Sequence, residues 1–145
     1  MQVLAAQYSK LYTRKFRVSY TDFVLDSATR KTAVLFTMPR NWEVIGVKFW
    51  LRTKFVAVSM SSCGLYVIKS TTPALASEFS NSPATINGLL TPSDSTVQVG
   101  FNSTPGANQS ADTAVWLRMV TNTITGGAAL TAGSVDVWVI TARFP

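Results

Sequence analysis

The chain is dominated by short runs in which apolar and polar residues alternate with a period of two. In residues 42–55, WEVIGVKFWLRTKF, one face from residue 45 onward carries Ile45, Val47, Phe49, Leu51, Thr53 and Phe55. The opposite face carries Lys48, Trp50, Arg52 and Lys54. Such alternation predicts a half-buried β-strand. Similar runs predict strands at residues 16–24, 33–38, 65–69, 97–101, 114–121 and 134–142.

These runs predict seven or eight short strands and no long helix, which indicates an all-β fold. Their spacing is typical of an antiparallel β-sandwich, and we expect a jelly-roll-like arrangement. A chain of 145 residues is long enough for one domain with its own core. Residues 1–15 lack clean alternation, so we expect an extended N-terminal arm or a short edge segment there, followed by one domain over residues 16–145. Residues 70–96 are rich in Ser, Thr, Pro and Asn and predict a long excursion from the sheets.

Three of the four tryptophans fall on the side of their strands that faces away from the valine-rich row. They are Trp50, Trp116 and Trp138, and Arg52, Arg118 and Ile140 share their side. Several mid-strand tryptophans on an outward face need an explanation, because large exposed apolar patches mark interaction sites. Three explanations stay open: a protein–protein interface, cover by the excursion at residues 70–96, or a ligand groove. We take these six residues as candidates for the interface.

Charge is distributed unevenly along the chain. The net charge is +6, but residues 1–69 carry 11 Lys and Arg against three acids, while residues 70–145 carry two against four. This asymmetry predicts an acidic partner for the N-terminal part, and Arg14, Lys15 and Arg17 are the candidate contacts. Tyr12 and Phe16 interleave with these cations, as in surfaces that bind single-stranded nucleic acid. No RNA-binding signature is present and the net charge is modest, so we favour a plain strand with its apolar side inward and its cationic side in solvent, and we do not expect nucleic acid as the partner.

The residue types needed for common catalytic chemistry are missing from the sequence. There is no histidine, which excludes His-based triads and most zinc sites. Asp22 and Asp26 form the single close carboxylate pair, but residues four apart on a strand lie ~13 Å apart. The lone Cys63 is expected to be a buried structural residue. We therefore expect no enzyme activity, no cofactor and no metal site. With neither a secretion signal nor an apolar run that would span a bilayer, we expect a soluble protein made in a cytoplasm.

Three stretches together resemble the jelly-roll capsid decoration, or cement, proteins of tailed bacteriophages. They are the proline-bounded turn followed by WEVIGVKFWLRTKF, the segment TTPALASEF, and the closing LTAGSVDVWVITARF. The similarity covers residues ~37–79 and 113–144. It is a pattern of strands and turns without a catalytic signature.

The resemblance implies a virion structural protein on the exterior of an icosahedral capsid. Such a protein binds the major capsid protein, bridges its neighbouring copies and stabilises the shell, and it assembles as a dimer or another small homo-oligomer. Two alternatives remain: another phage structural β-domain, such as a head fibre, tail or baseplate part, or a carbohydrate- or receptor-binding module.

Overall fold

The computed structural model describes residues 10–27, 30–69, 85–87, 95–99, 112–121 and 130–143. These residues form nine β-strands and one short 3-10 helix at Tyr20–Asp22. The strands are β1 Lys10–Ser19, β2 Val24–Ser27, β3 Arg30–Met38, β4 Trp42–Val56, β5 Cys63–Lys69, β6 Thr85–Asn87, β7 Ser95–Val99, β8 Thr113–Thr121 and β9 Ala132–Arg143. The predicted all-β class is confirmed.

The strands form two antiparallel sheets. Sheet 1 has the order β1-β9-β4-β7, and sheet 2 has the order β2-β3-β8-β5-β6. The pairing is nested along the chain, because β1 pairs with β9, β3 with β8, β4 with β7 and β5 with β6. Strand β2 adds to this scheme at the edge of sheet 2, beside β3.

One hydrophobic core lies between the two sheets and draws residues from both. The inner row of β9 consists of Val135, Val137 and Val139, all fully buried. The fully buried inner rows of β4 and β8 contribute Val47, Phe49, Leu51, Val115, Leu117 and Met119. These are the residues that the alternation places inward, so the predicted faces of these three strands are confirmed there. Cys63 is buried in the same core, as expected.

The extended N-terminal arm is not confirmed. Residues 10–15 belong to β1, which pairs with β9 over its whole length from Lys10 to Ser19. The first strand thus begins before the expected boundary at Phe16, and the alternative of an edge segment describes these six residues better. Residues 1–9 and most of the predicted excursion at 70–96 lie outside the described residues.

Bulges in β4 correct the predicted face at two positions. The register with β9 shifts between Val44 and Gly46 and again between Leu51 and Thr53. A bulge adds one residue to one strand and moves its side chains relative to the partner. Consequently Ile45 is half-buried while Val44 is fully buried, and Thr53 is exposed opposite Ser134. Both Ile45 and Thr53 were expected in the buried row.

Gly133 allows β9 to enter the sheet next to an aromatic ring of the core. Its φ of +133° lies in a region that residues with a Cβ rarely adopt. A Cβ at this position would also overlap the ring of Phe55, which is fully buried. Backbone conformation and packing therefore both require glycine here.

We expect Gly133→Ala to lower the free energy of unfolding by about 2 kcal/mol or more, because it adds backbone strain and overpacks the core. Urea unfolding monitored by tryptophan fluorescence measures the loss. Gly64→Ala is the matched control, since Gly64 has no positive φ and the nearest atoms belong to the far end of a side chain, that of Tyr66. An equal loss in both variants would contradict the special role of Gly133.

Candidate functional site

The outer side of sheet 1 carries two rows of side chains across strands β1, β9 and β4. Arg17 on β1 and Trp50 on β4 lie opposite Asp136 on β9. One step along, Lys15 and Lys48 lie opposite Trp138 in the same way. Together with Arg52, we call this set of seven residues the cationic face: Lys15, Arg17, Lys48, Trp50, Arg52, Asp136 and Trp138. It has four cations and one carboxylate.

The indole of Trp138 lies between two lysines from the neighbouring strands. The Nζ atom of Lys15 is 5.1 Å from the ring centroid, and that of Lys48 is 4.9 Å from it. Both distances are within the range of cation–π attraction. The half-buried ring thus holds two ammonium groups close to the surface of the sheet.

The carboxylate of Asp136 is the centre of an ion cluster. Arg17 donates to it through two nitrogens, with Nε 2.8 Å from Oδ1 and Nη2 3.2 Å from Oδ2. Arg52 donates from Nε to Oδ2 over 2.6 Å, and Lys15 Nζ lies 3.6 Å from Oδ2. The Asp136 side chain is fully buried, whereas those of Arg17 and Arg52 are 63% and 42% exposed. The acid therefore lies beneath its cations, and solvent meets mostly positive groups.

The hydrogen bonds from Arg17 lower the pKa of Asp136 from its usual 3.8 to about 2. Burial acts in the opposite direction, and the hydrogen bond from Arg52 adds to the lowering. The same ion pair raises the pKa of Arg17. Asp136 is thus ionised at neutral pH and neutralises about one of the four cations. The cationic face keeps a positive excess.

Arg52 reaches Asp136 because of the bulge in β4. It is the additional residue between Leu51 and Thr53, where the register with β9 shifts. From this position its guanidinium lies 5.6 Å from the ring centroid of Trp50 as well as against Asp136. The bulge therefore joins one tryptophan to the ion cluster.

The structure brings together six of the nine predicted interface residues. Lys15, Arg17, Trp50, Arg52 and Trp138 belong to the cationic face, and Ile140 lies in the next outer row of β9, opposite Thr13. The signals for this cluster were the outward positions of Trp50, Trp138 and their neighbours in the alternation, and the charge asymmetry in the case of the β1 cations. Asp136 and Lys48 were not among the predicted interface residues, although their outward positions follow from the same alternation.

The other three predicted residues lie elsewhere. Trp116 and Arg118 are on the outer side of sheet 2, where Arg118 is only 2% exposed and Ile68, opposite Trp116, is fully buried. Arg118 is therefore inaccessible in the single chain, which corrects its assignment to an exposed interface. Arg14 lies in the inner row of β1, with its guanidinium 4.8 Å from the ring centroid of Phe36 on β3. Arg14 thus extends from the edge strand of sheet 1 to a side chain of sheet 2.

Among the described residues, no group of three or more His, Cys, Asp and Glu side chains is placed to hold a metal ion. Within the same part of the chain, no helix has the length and apolar character needed to cross a bilayer.

Comparison with known proteins adds no identification. The chain matches no protein-family model, no curated protein and no solved structure at a significant level. The resemblance to decoration proteins therefore remains a prediction, and functional inference rests on the geometry of the chain.

The pKa of Asp136 predicts how the stability of the fold depends on acid. Since the folded pKa of about 2 lies below the usual 3.8, the ionised cluster stabilises the fold above about pH 4. This contribution is lost as the pH falls from about 4 to about 2. We expect it to be about 1–2 kcal/mol, because solvent screens the exposed cations.

Urea unfolding between pH 7 and pH 2 measures this contribution. Asp136→Asn should lower stability at pH 7 and remove that part of the acid dependence. Asp112→Asn removes an exposed carboxylate next to β8 and should leave the loss of stability at acid pH unchanged. If Asp136→Asn lost as much stability at acid pH as the unmodified protein, Asp136 would not be the group responsible.

Proposed function

We propose that this chain is a virion structural protein, a decoration protein that binds the outside of an icosahedral head and bridges major capsid proteins. The observation that carries the proposal is the cationic face, a preformed, solvent-facing arrangement of tryptophans and cations on a β-sheet. Its residues have no visible role in the core. A structural binding role accounts for them without catalytic chemistry.

The composition of the cationic face supports a protein partner. Interface cores favour Trp and Arg, and the strongest contacts cluster near the centre of the contact area. Trp138 and Asp136 lie on the central strand of the three, with cations from β1 and β4 on both sides. The ion cluster fixes Arg17 and Arg52 before binding, which lowers the entropic cost of ordering them.

The nested pairing of strands supports a jelly-roll fold as the finer description. A jelly roll is a long antiparallel hairpin wound into two sheets, so that the first strand pairs with the last and the inner pairs follow in order. The four nested pairs here fit that scheme, with β2 as an added edge strand. Jelly rolls occur in viral capsid domains and in lectins.

The proposed mechanism is stabilisation by mass action. A protein that binds the assembled shell and not its separated subunits adds its binding free energy to the stability of the shell. One chain can contact two capsid subunits at once, or a dimer of this chain can do so. Such bivalent binding raises the effective affinity without a strong single contact. The positive excess of the cationic face would speed association with an acidic shell.

The direct test is the composition of purified particles. Virions of the phage that carries this gene should contain the protein in a fixed stoichiometric ratio to the major capsid protein, measured by quantitative gel or mass spectrometry. Particles that lack it should regain it on mixing. Its absence from purified virions would contradict the proposal.

We expect Trp138→Ala to weaken binding to particles by about 2 kcal/mol or more, because it removes a central aromatic contact. Trp50→Ala should act in the same direction. Binding to particles lacking the protein, measured by co-sedimentation, gives the affinity, and circular dichroism checks the fold. Trp116→Ala is the matched control on the opposite sheet and should weaken binding less. A large loss of stability with normal particle binding would show that Trp138 is only a structural residue.

We expect Lys15→Gln combined with Lys48→Gln to slow association with particles and to flatten its dependence on salt. Both effects follow from the loss of long-range attraction to an acidic surface. Stopped-flow light scattering at several salt concentrations measures the rates. Arg40→Gln, in the exposed turn before β4, is the control for a general loss of charge. Equal salt dependence in the double variant and the unmodified protein would exclude electrostatic steering by this face.

A further inference from the structure

Strand β1 forms one edge of sheet 1. All ten of its residues pair with β9 without a register shift, and among the described residues no strand pairs with its other side. In an antiparallel strand, alternate residues direct their N–H and C=O groups away from the partner. About half of the residues of β1 therefore present backbone donors and acceptors at the edge. Proline and bulges, which commonly protect such an edge, are absent from β1.

The side chains of β1 indicate which kind of strand fits beside it. Its sequence, KLYTRKFRVS, contains four cations and no acid. Two copies of β1 paired across this edge would confront cations with cations, and like charges on neighbouring strands are destabilising. An acidic segment would instead place its carboxylates next to Lys15 and Arg17 in the outer row. Charge therefore favours an acidic partner over a second copy of β1.

A cavity of about 320 Å³ opens beside this edge, between β1 and β3. Its lining combines Phe16 and Val18 from β1 and residues 33–35 from β3 with the polar side chains of Arg17 and Asp22. Strand β2 pairs with β3 only up to Thr32, so the wall formed by residues 33–35 has no β2 partner beside it. Apolar side chains from the inner row of an added strand would lie above this cavity.

We propose that the edge of β1 that faces away from β9 binds an extended protein segment in which acidic and apolar residues alternate. The backbone of the segment continues sheet 1, its acidic side chains meet Lys15 and Arg17, and its apolar side chains fill the cavity between β1 and β3. This is strand addition, in which main-chain hydrogen bonds supply affinity and alternate side chains supply specificity. The inference rests on the proposed function only for the source of the segment, a neighbouring protein in the particle.

Nucleic acid is a poorer occupant of the same edge. Phosphates would satisfy Lys15 and Arg17, but a sugar–phosphate backbone does not continue the hydrogen-bond ladder of a sheet. It also offers no apolar side chain for the cavity beside Phe16 and Val18. The edge and the cavity together favour a polypeptide.

A fluorescence anisotropy titration with a labelled octapeptide of alternating glutamate and valine tests the proposal. We expect this peptide to bind at least about tenfold more tightly than a peptide of the same composition in two blocks, and than an alternating lysine and valine peptide. Oligothymidylate of similar length should bind more weakly than the alternating acidic peptide. Equal binding of the block peptide, or tighter binding of the oligonucleotide, would overturn the proposal.

Variants and amide exchange locate the bound peptide. Lys15→Glu should weaken binding about tenfold, because it replaces a cation that faces the acidic side chains of the segment. Lys54→Glu, at an exposed position of β4 away from this edge, is the charge control. Amide hydrogen exchange by NMR should show new protection at alternate residues of β1 when the peptide binds. Binding without this protection would indicate attraction to the cationic face alone and would overturn strand addition. Because no particle is used, this test and that of the capsid role fail independently.

Discussion

The register of β9 between β1 and β4 determines both the core and the surface of sheet 1. Side chains along a strand alternate between faces, so a slip of one residue would place Asp136 in the core and valines in solvent. The observed register buries Val135, Val137 and Val139 against the second sheet. It thereby brings the cations of β1 and β4 beside Asp136 and Trp138. The cationic face is thus a consequence of the pairing that builds the core.

The energies of these two features differ in scale. Burial of a large apolar side chain such as Phe49 or Leu51 contributes about 1.5–3 kcal/mol, and the core contains many of them. Ion pairs with solvent-exposed partners contribute about 1 kcal/mol or less each. The Asp136 cluster therefore adds little to folding compared with the core. Its main consequence is that Arg17 and Arg52 have fixed orientations at the surface.

Local periodicity predicted much of this fold, because three long strands each have one fully buried row. Pro39 predicted the turn after β3, where Asn41 adopts a positive φ of 65° that asparagine tolerates. Ile45 and Thr53 were misplaced because bulges depend on the partner strand. The burial of Arg118 and the pairing of residues 10–15 with β9 depend on residues distant in sequence. Asp136 was missed because its three cations come from two other strands.

The cationic face and the edge of β1 that faces away from β9 share Lys15 and Arg17, which links the two proposed contacts physically. Immobilising a long, flexible side chain at an interface costs about 0.5–1.5 kcal/mol. Asp136 already restrains both side chains in the unbound chain, through contacts of 3.6 Å to Lys15 and 2.8 Å to Arg17. Folding therefore already covers part of the entropic cost of ordering these cations before a partner binds at either surface. The buried acid reduces the net charge of the surface. By restraining the remaining cations, it also lowers the entropic cost that a partner must overcome to bind them.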